Sequence, residues 1–185
     1  MATHRTAGQL RARRELCALA RTGLDIVDLL AERGAEESDA PRRYLESLQR
    51  WAMGVDTGPQ LAARTRAMET WRWTVIGSDC APPTRYADWW CGALGLLIDA
   101  REDMTKHPTH TFHVGRVVWH LTDVVACLTG ETRDATNARV INLLDAHRKA
   151  IGEECARAKS DARLRQAKAD KIAAERALGT LPGME

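Results

Sequence analysis

Apolar side chains recur every three or four residues along most of the chain, in segments that stop at Gly or Pro. That spacing gathers them on one face of an α-helix. Strict alternation, the signature of a half-buried strand, is nearly absent. The pattern predicts an all-α fold, a bundle of five to six helices with a long C-terminal helix.

The first segment, Thr6 to Arg33, sets Leu16, Ala20, Leu24, Val27 and Leu30 against a wet face of Arg11, Arg14, Arg21, Asp25, Asp28 and Glu32. Gly34 supplies a left-handed stop. Gly23 inside it costs a helix roughly 1 kcal/mol against Ala, which a close neighbour would explain. The second opens at Ser38 or Asp39, whose side-chain oxygens suit the free first-turn amides, has Pro41 behind them, and ends at Gly54. Its inward stripe is Tyr44, Leu45, Leu48, Trp51 and Ala52. The third starts at Thr57 with Gln60 in the capping-box position and runs to Gly77, with Leu61, Met68 and Val75 a heptad apart beside Trp71.

After Pro82 and Pro83, a fourth segment from Thr84 toward Asp103 carries apolar residues around most of its girth, among them Trp89, Trp90, Leu94, Leu97, Ile98 and Met104. That predicts the central helix, with Gly92 and Gly95 as flat ground for a neighbouring backbone. The fifth, Thr111 to Leu128, points Val117, Val118, Leu121, Val124, Val125 and Leu128 inward. The sixth begins at Asp134 or Thr136 and meets no breaker but Gly152 before Gly179, which makes a rod of roughly 60 Å. Val140, Ile141, Leu144, Ile151 and Cys155 read as core, whereas the later apolar positions are chiefly Ala. The expected division is a helical bundle domain over 1–155 and a protruding charged C-terminal helix and tail over 156–185. Six Trp side chains, each able to remove about 150 to 250 Å² from water, are expected to supply much of the core.

Composition narrows the class. With 44% hydrophobic and 28% charged residues, the chain is too apolar for disorder and too polar for a membrane protein. The longest uncharged apolar run, Trp89 to Ile98, is about half of the roughly 20 residues a bilayer span requires. The first residues lack the apolar stretch of a secretory signal, so a cytoplasmic location is expected and no membrane partner. A net charge of +2 and a pI near 8.3 fall short of the domain pI above about 9 that marks nucleic-acid binders. Cys17, Cys80, Cys91, Cys127 and Cys155 form neither a CxxC pair nor a zinc spacing, and read as reduced, mostly buried thiols.

Three groups of polar residues remain. His107, His110 and His113 stand three apart, but Pro108 interrupts them and no carboxylate or Cys ligand adjoins; they read as a polar loop, with no metal and no cofactor. On the fifth helix His113, Arg116, His120 and Asp123 advance by three and four beside the apolar face. His120 and Asp123 are one turn apart and able to hydrogen-bond, yet Cys127, the nearest nucleophile, is two turns from His120 in an apolar run. The stripe is therefore taken as a partner-binding surface. No GxSxG, P-loop or GxGxxG pattern occurs, and an enzyme is not expected. On the last helix Arg157, Arg163, Arg165, Lys168 and Lys171 are candidate nucleic-acid contacts. Interleaved Glu153, Glu154, Asp161, Asp170 and Glu175 favour instead a solvated surface paired with itself.

The stretch Leu16-Cys-Ala-Leu-Ala-Arg through Leu29-Leu-Ala-Glu, followed by Asp39-Ala-Pro-Arg-Arg-Tyr-Leu-Glu-Ser-Leu-Gln-Arg-Trp-Ala-Met-Gly54, resembles a family of bacterial immunity proteins. As the resemblance implies, that all-helical family has a first helix ending in an acidic turn, then a Pro-Arg-led helix ending in Trp-Ala-x-Gly, then small-residue helices carrying a His. Ala62, Ala63 and Ala67 fit the third helix, and Trp119-His120-Leu121 stands where the family has its His. Trp89, Trp90 and Met104 replace an Ala-rich stretch, Val124 stands where a second His is expected, and the rod after Cys155 has no counterpart. The resemblance covers about residues 16–67. It implies a protein that neutralises a toxin by binding it, although the near-neutral charge lacks the acidic face suited to a basic nuclease. The function expected is a non-catalytic helical interaction protein that binds a partner protein, an immunity or antitoxin-like role in a bacterial defence system. The alternative is a small helical subunit of a nucleic-acid-binding complex, and a minority reading is a metal-dependent enzyme built on the fifth-helix histidines.

Overall fold

The computed structural model describes residues 7–34, 38–77, 85–106 and 114–179. They form six α-helices: α1 (Ala7–Glu32), α2 (Ala40–Met53), α3 (Gly58–Gly77), α4 (Arg85–Lys106), α5 (Val114–Thr129) and α6 (Arg133–Gly179). The fold is all-α with a long last helix, as the periodicity predicts, and no strand occurs among the described residues. No described helix is long and apolar enough to cross a membrane. The chain divides into two compact units, Met1–Arg148 and Lys149–Glu185.

In the first unit α1 packs on α2, α4 and α5, while α4 packs on α1, α3 and α5, so the centre is shared between two helices. From Leu16 to Ala20 every residue of α1 is buried. That run of five apolar residues has no phase, so here the helix is covered on all sides rather than on the one face that Leu16, Ala20, Leu24, Val27 and Leu30 mark out. Fully burying a Leu such as Leu16 or Leu19 contributes about 1.5 to 3 kcal/mol. α4 buries Trp90, Leu94, Leu97 and Ile98 but keeps Asp88 and Asp99 in water.

The Trp expectation fails in an informative way. Trp90 is buried, Trp51, Trp71 and Trp89 are half-buried, and Trp73 and Trp119 are 68% and 54% exposed. Aliphatic side chains, with Tyr44 and Met68, fill the interior instead. Trp51 serves as a platform for cations: the Arg13 guanidinium lies 4.2 Å from its ring centre and donates to its carbonyl, and that of Arg101 lies 5.8 Å away. Arg13 is only 7% exposed, a setting in which an aromatic face helps to replace lost water.

Local signals at the helix ends divide. Gly54 adopts the left-handed conformation (φ 84°) and ends α2 as expected. Gln60 Oε1 accepts the Thr57 amide at 2.7 Å and also the Thr57 hydroxyl at 2.9 Å. Asp39 caps nothing: its carboxylate takes Arg43 at 2.7 Å, and Ser38 Oγ accepts the Ala40 amide at 3.2 Å. A Cβ on Gly23 would stand 3.0 Å from a Leu45 methyl, the close neighbour its presence implied. At Gly92 and Gly95 the visitors are side chains rather than backbone, the His120 ring at 2.8 Å and the Arg72 guanidinium at 2.9 Å from such a Cβ.

The start of α6 buries Thr136, Val140 and Leu144, four apart, and leaves Ile141 exposed, against expectation. His147 Nε2 meets Asp25 Oδ2 at 2.7 Å and Arg148 Nε donates to Glu15 Oε1 at 3.0 Å, fastening this part to α1. Cys17 and Cys91 are buried, Cys155 is half-buried and Cys127 is exposed, all as free thiols; Cys80 lies outside the described residues. Burial pushes the Cys91 thiol up to about 11, against the pull of Arg72.

In the second unit Ile151 is the last buried residue among those described, and Glu154 and Cys155 are half-buried. From Ala156 to Arg176 every residue is exposed.

Candidate functional site

α5 turns Val117, Leu121, Val124 and Val125 into the core. At 100° per residue Trp119 then falls on the opposite side, toward solvent. His120 borders the buried stripe and Asp123 lies between His120 and Trp119, and the structure sends the two to different neighbours.

The His120 ring lies over Gly92 of α4 and tilts at 49° against Trp89, their ring centres 5.3 Å apart. Its Nδ1 is buried without a hydrogen-bond partner among the described residues. Burial holds the imidazole below its ordinary pKa, with Asp123 pulling upward and Arg116 pushing further down. The expected His120–Asp123 hydrogen bond is not made, because the ring faces α4 and Asp123 faces α6. Arg133 Nε meets Asp123 Oδ1 at 3.1 Å, and its Nη2 lies 3.5 Å from Oδ2. The same guanidinium covers the Trp119 ring, 4.9 Å from its centre. Of the remaining stripe, Arg116 is exposed and His113 lies outside the described residues.

Trp119 and Arg133, the latter paired with Asp123, line an open groove of about 430 Å³ between α5 and the start of α6. Val118, Thr122, Asn137 and Ile141 complete most of its lining. The Thr122 hydroxyl faces Asn137 Oδ1 at 3.4 Å. An indole, a neutralised guanidinium, two aliphatic side chains, a hydroxyl and an amide can bind and orient a ligand. Sequence reasoning missed Trp119, Arg133 and Asn137, and placed Ile141 in the core. Trp119 was legible as an aromatic off the apolar stripe; the reach of Arg133 across a turn to it was not.

A second groove of about 540 Å³, between α2 and α3, holds Arg43, Arg50, Arg64 and Asp56. Its charges are largely consumed locally: Arg43 binds Asp39, while Asp56 takes Arg50 Nε at 2.7 Å and the Ser47 hydroxyl at 2.9 Å. Arg50 holds the Asp56 carboxyl below the usual carboxylate range.

Arg157, Arg163, Arg165, Lys168 and Lys171 are all exposed on the second unit. No group of three His, Cys, Asp or Glu side chains placed for a metal ion occurs among the described residues, and His107, His110 and His113 lie outside them. Comparison with protein-family models, curated proteins and solved structures finds no match for this chain.

Proposed function

We propose that the chain is a non-catalytic protein-binding module whose contact centre is the α5/α6 groove. The observation that carries this reading is Trp119, half in water yet fixed beneath Arg133, which Asp123 holds in turn. Trp and Arg in such preorganised settings supply most binding energy at protein interfaces. Because Arg133 is already paired, a partner that covers it strands no bare charge. An aliphatic or aromatic side chain of the partner would rest on the indole beside Val118 and Ile141. The resemblance over residues 16–67 adds a class of partner: a toxin neutralised by binding, in an immunity or antitoxin-like role in the cytoplasm of a bacterium.

The test is affinity purification from the native host with the intact chain and with Trp119→Ala. Truncating such an anchor costs about 2 kcal/mol or more, or roughly 30-fold in affinity. A protein captured by the parent and by Cys127→Ser, and lost with Trp119→Ala, supports the reading. Equal capture of the same proteins by parent and Trp119→Ala refutes it.

A further inference from the structure

We infer that the exposed helix of the second unit binds the phosphate backbone of nucleic acid, without reading its sequence, through Arg157, Arg165, Lys168 and Lys171. This surface is independent of the groove. A helix polar on all sides is ordinarily held by ion pairs between successive turns, and interleaved acids suggested that here. The structure shows few of them. Between Ala156 and Arg176 seven cations accompany three carboxylates. Arg157, Lys159, Arg163, Arg165 and Lys168 have no carboxylate partner among the described residues. Asp161 lies one turn from both Arg157 and Arg165 and pairs with neither; Asp170 accepts the Gln166 amide at 2.7 Å. Lys171 does meet Glu175, at 3.9 Å.

At 100° per residue, Arg157, Arg165, Lys168 and Lys171 fall within a sector of about 120° that also holds Asp161, Glu175, Leu164 and Ile172, and the last three of these cations climb about 4.5 Å at each step. The excess of cations over carboxylates on this helix suits a polyanion with closely spaced charges. It suits a second copy of the same helix less, since four cations against two carboxylates on each face leave like charge in excess. Nor does it match a lipid surface, since an interfacial helix needs a broad apolar face and the only large apolar side chains exposed here are Leu164 and Ile172. The whole-chain charge of +2 conceals the local excess.

The experiment is fluorescence anisotropy of a labelled mixed-sequence DNA duplex of about 20 base pairs with the full chain, repeated with a single-stranded RNA and with phosphatidylserine vesicles. Four phosphate contacts give a slope of log K against log salt of about −3.6, or about 150-fold weaker binding at 200 mM than at 50 mM salt. The variant R157Q/R165Q/K168Q/K171Q should lose binding and flatten that slope while keeping its circular dichroism, since Gln is a good helix former. Three results overturn the inference: no duplex or RNA binding at low salt, equal binding by the variant, or binding of vesicles alone. Trp119→Ala should leave duplex binding unchanged, so failure here leaves the groove reading standing, and the converse.

Discussion

α4 and the later part of α6 are both helical for opposite reasons. α4 contains two Gly, two Trp, Cys and Ile, poor helix formers by intrinsic preference, yet it lies among three neighbours that bury most of its surface. The stretch from Ala156 to Arg176 has no buried residue, but it is rich in Ala, Arg, Lys, Glu and Gln, the residues that lose least on entering a helix. Packing maintains one and propensity the other. A residue in α4 is therefore chosen for shape, and one in the later helix for solubility, helicity and whatever its charges meet.

The sharpest way to break this contrast is to make one change in both places. Leu94 is fully buried and Leu164 is 59% exposed. Leu94→Ala should cost about 2 to 5 kcal/mol, through lost transfer energy and the cavity left behind. Leu164→Ala should stay within about 0.5 kcal/mol. Urea midpoints of the two variants decide it; similar losses would mean that the second unit is packed after all. Next in size is Gly92→Ala, expected to cost about 1 to 3 kcal/mol because its Cβ would meet the His120 ring, itself braced by Trp89. Gly95→Ala should cost less, since the Arg72 guanidinium at the end of a flexible chain can move aside. A milder effect at Gly92 than at Gly95 would show that the ring is loosely held.

What the sequence disclosed follows the same division. Periodicity located six helices because burial repeats with the helical turn, and Gly23, Gly54 and the Thr57–Gln60 pair announced themselves through chemistry confined to a few residues. Asp39 looked like a cap but found Arg43 one turn on, a competition that residue preference cannot resolve. Counting Trp as core failed because an indole's size says nothing of its direction, and direction depends on phase. The groove was half legible: Trp119 stands off the apolar stripe, whereas Arg133, ten residues beyond Asp123, reaches both through a turn whose path only the fold sets.

A smaller effect should appear on acidification. His120 is held below its ordinary pKa of 6.5 by burial against Gly92 and Trp89, neither of them charged; Arg116 adds to this and Asp123, shared with Arg133, opposes it. The folded protein keeps the ring neutral while the unfolded chain takes up a proton. Stability from this residue is therefore fully present above about pH 6.5 and is lost as pH falls through that value toward the folded pKa. Urea midpoints at about pH 7.5 and 5.5 should fall more for the parent than for His120→Phe, which keeps a ring in the slot and removes the titration. The same fall in both would assign the pH dependence to other groups.

The smallest expected effect is the largest deletion. Removing everything after Cys155 takes away every residue of the wholly exposed stretch, and no described residue buried in the first unit lies within it. A segment that displaces no water adds nothing to the cooperative core, and its own helix forms by propensity alone. The melting temperature of the shortened chain should match the parent, within the shift that about 0.5 kcal/mol produces, while total helical ellipticity falls with the length removed. Loss of the cooperative transition would mean that the exposed helix is bound to the core by contacts its solvent exposure does not reveal. Retention of the transition together with loss of duplex binding would separate the two surfaces in a single variant, assigning folding to one unit and the polyanion to the other.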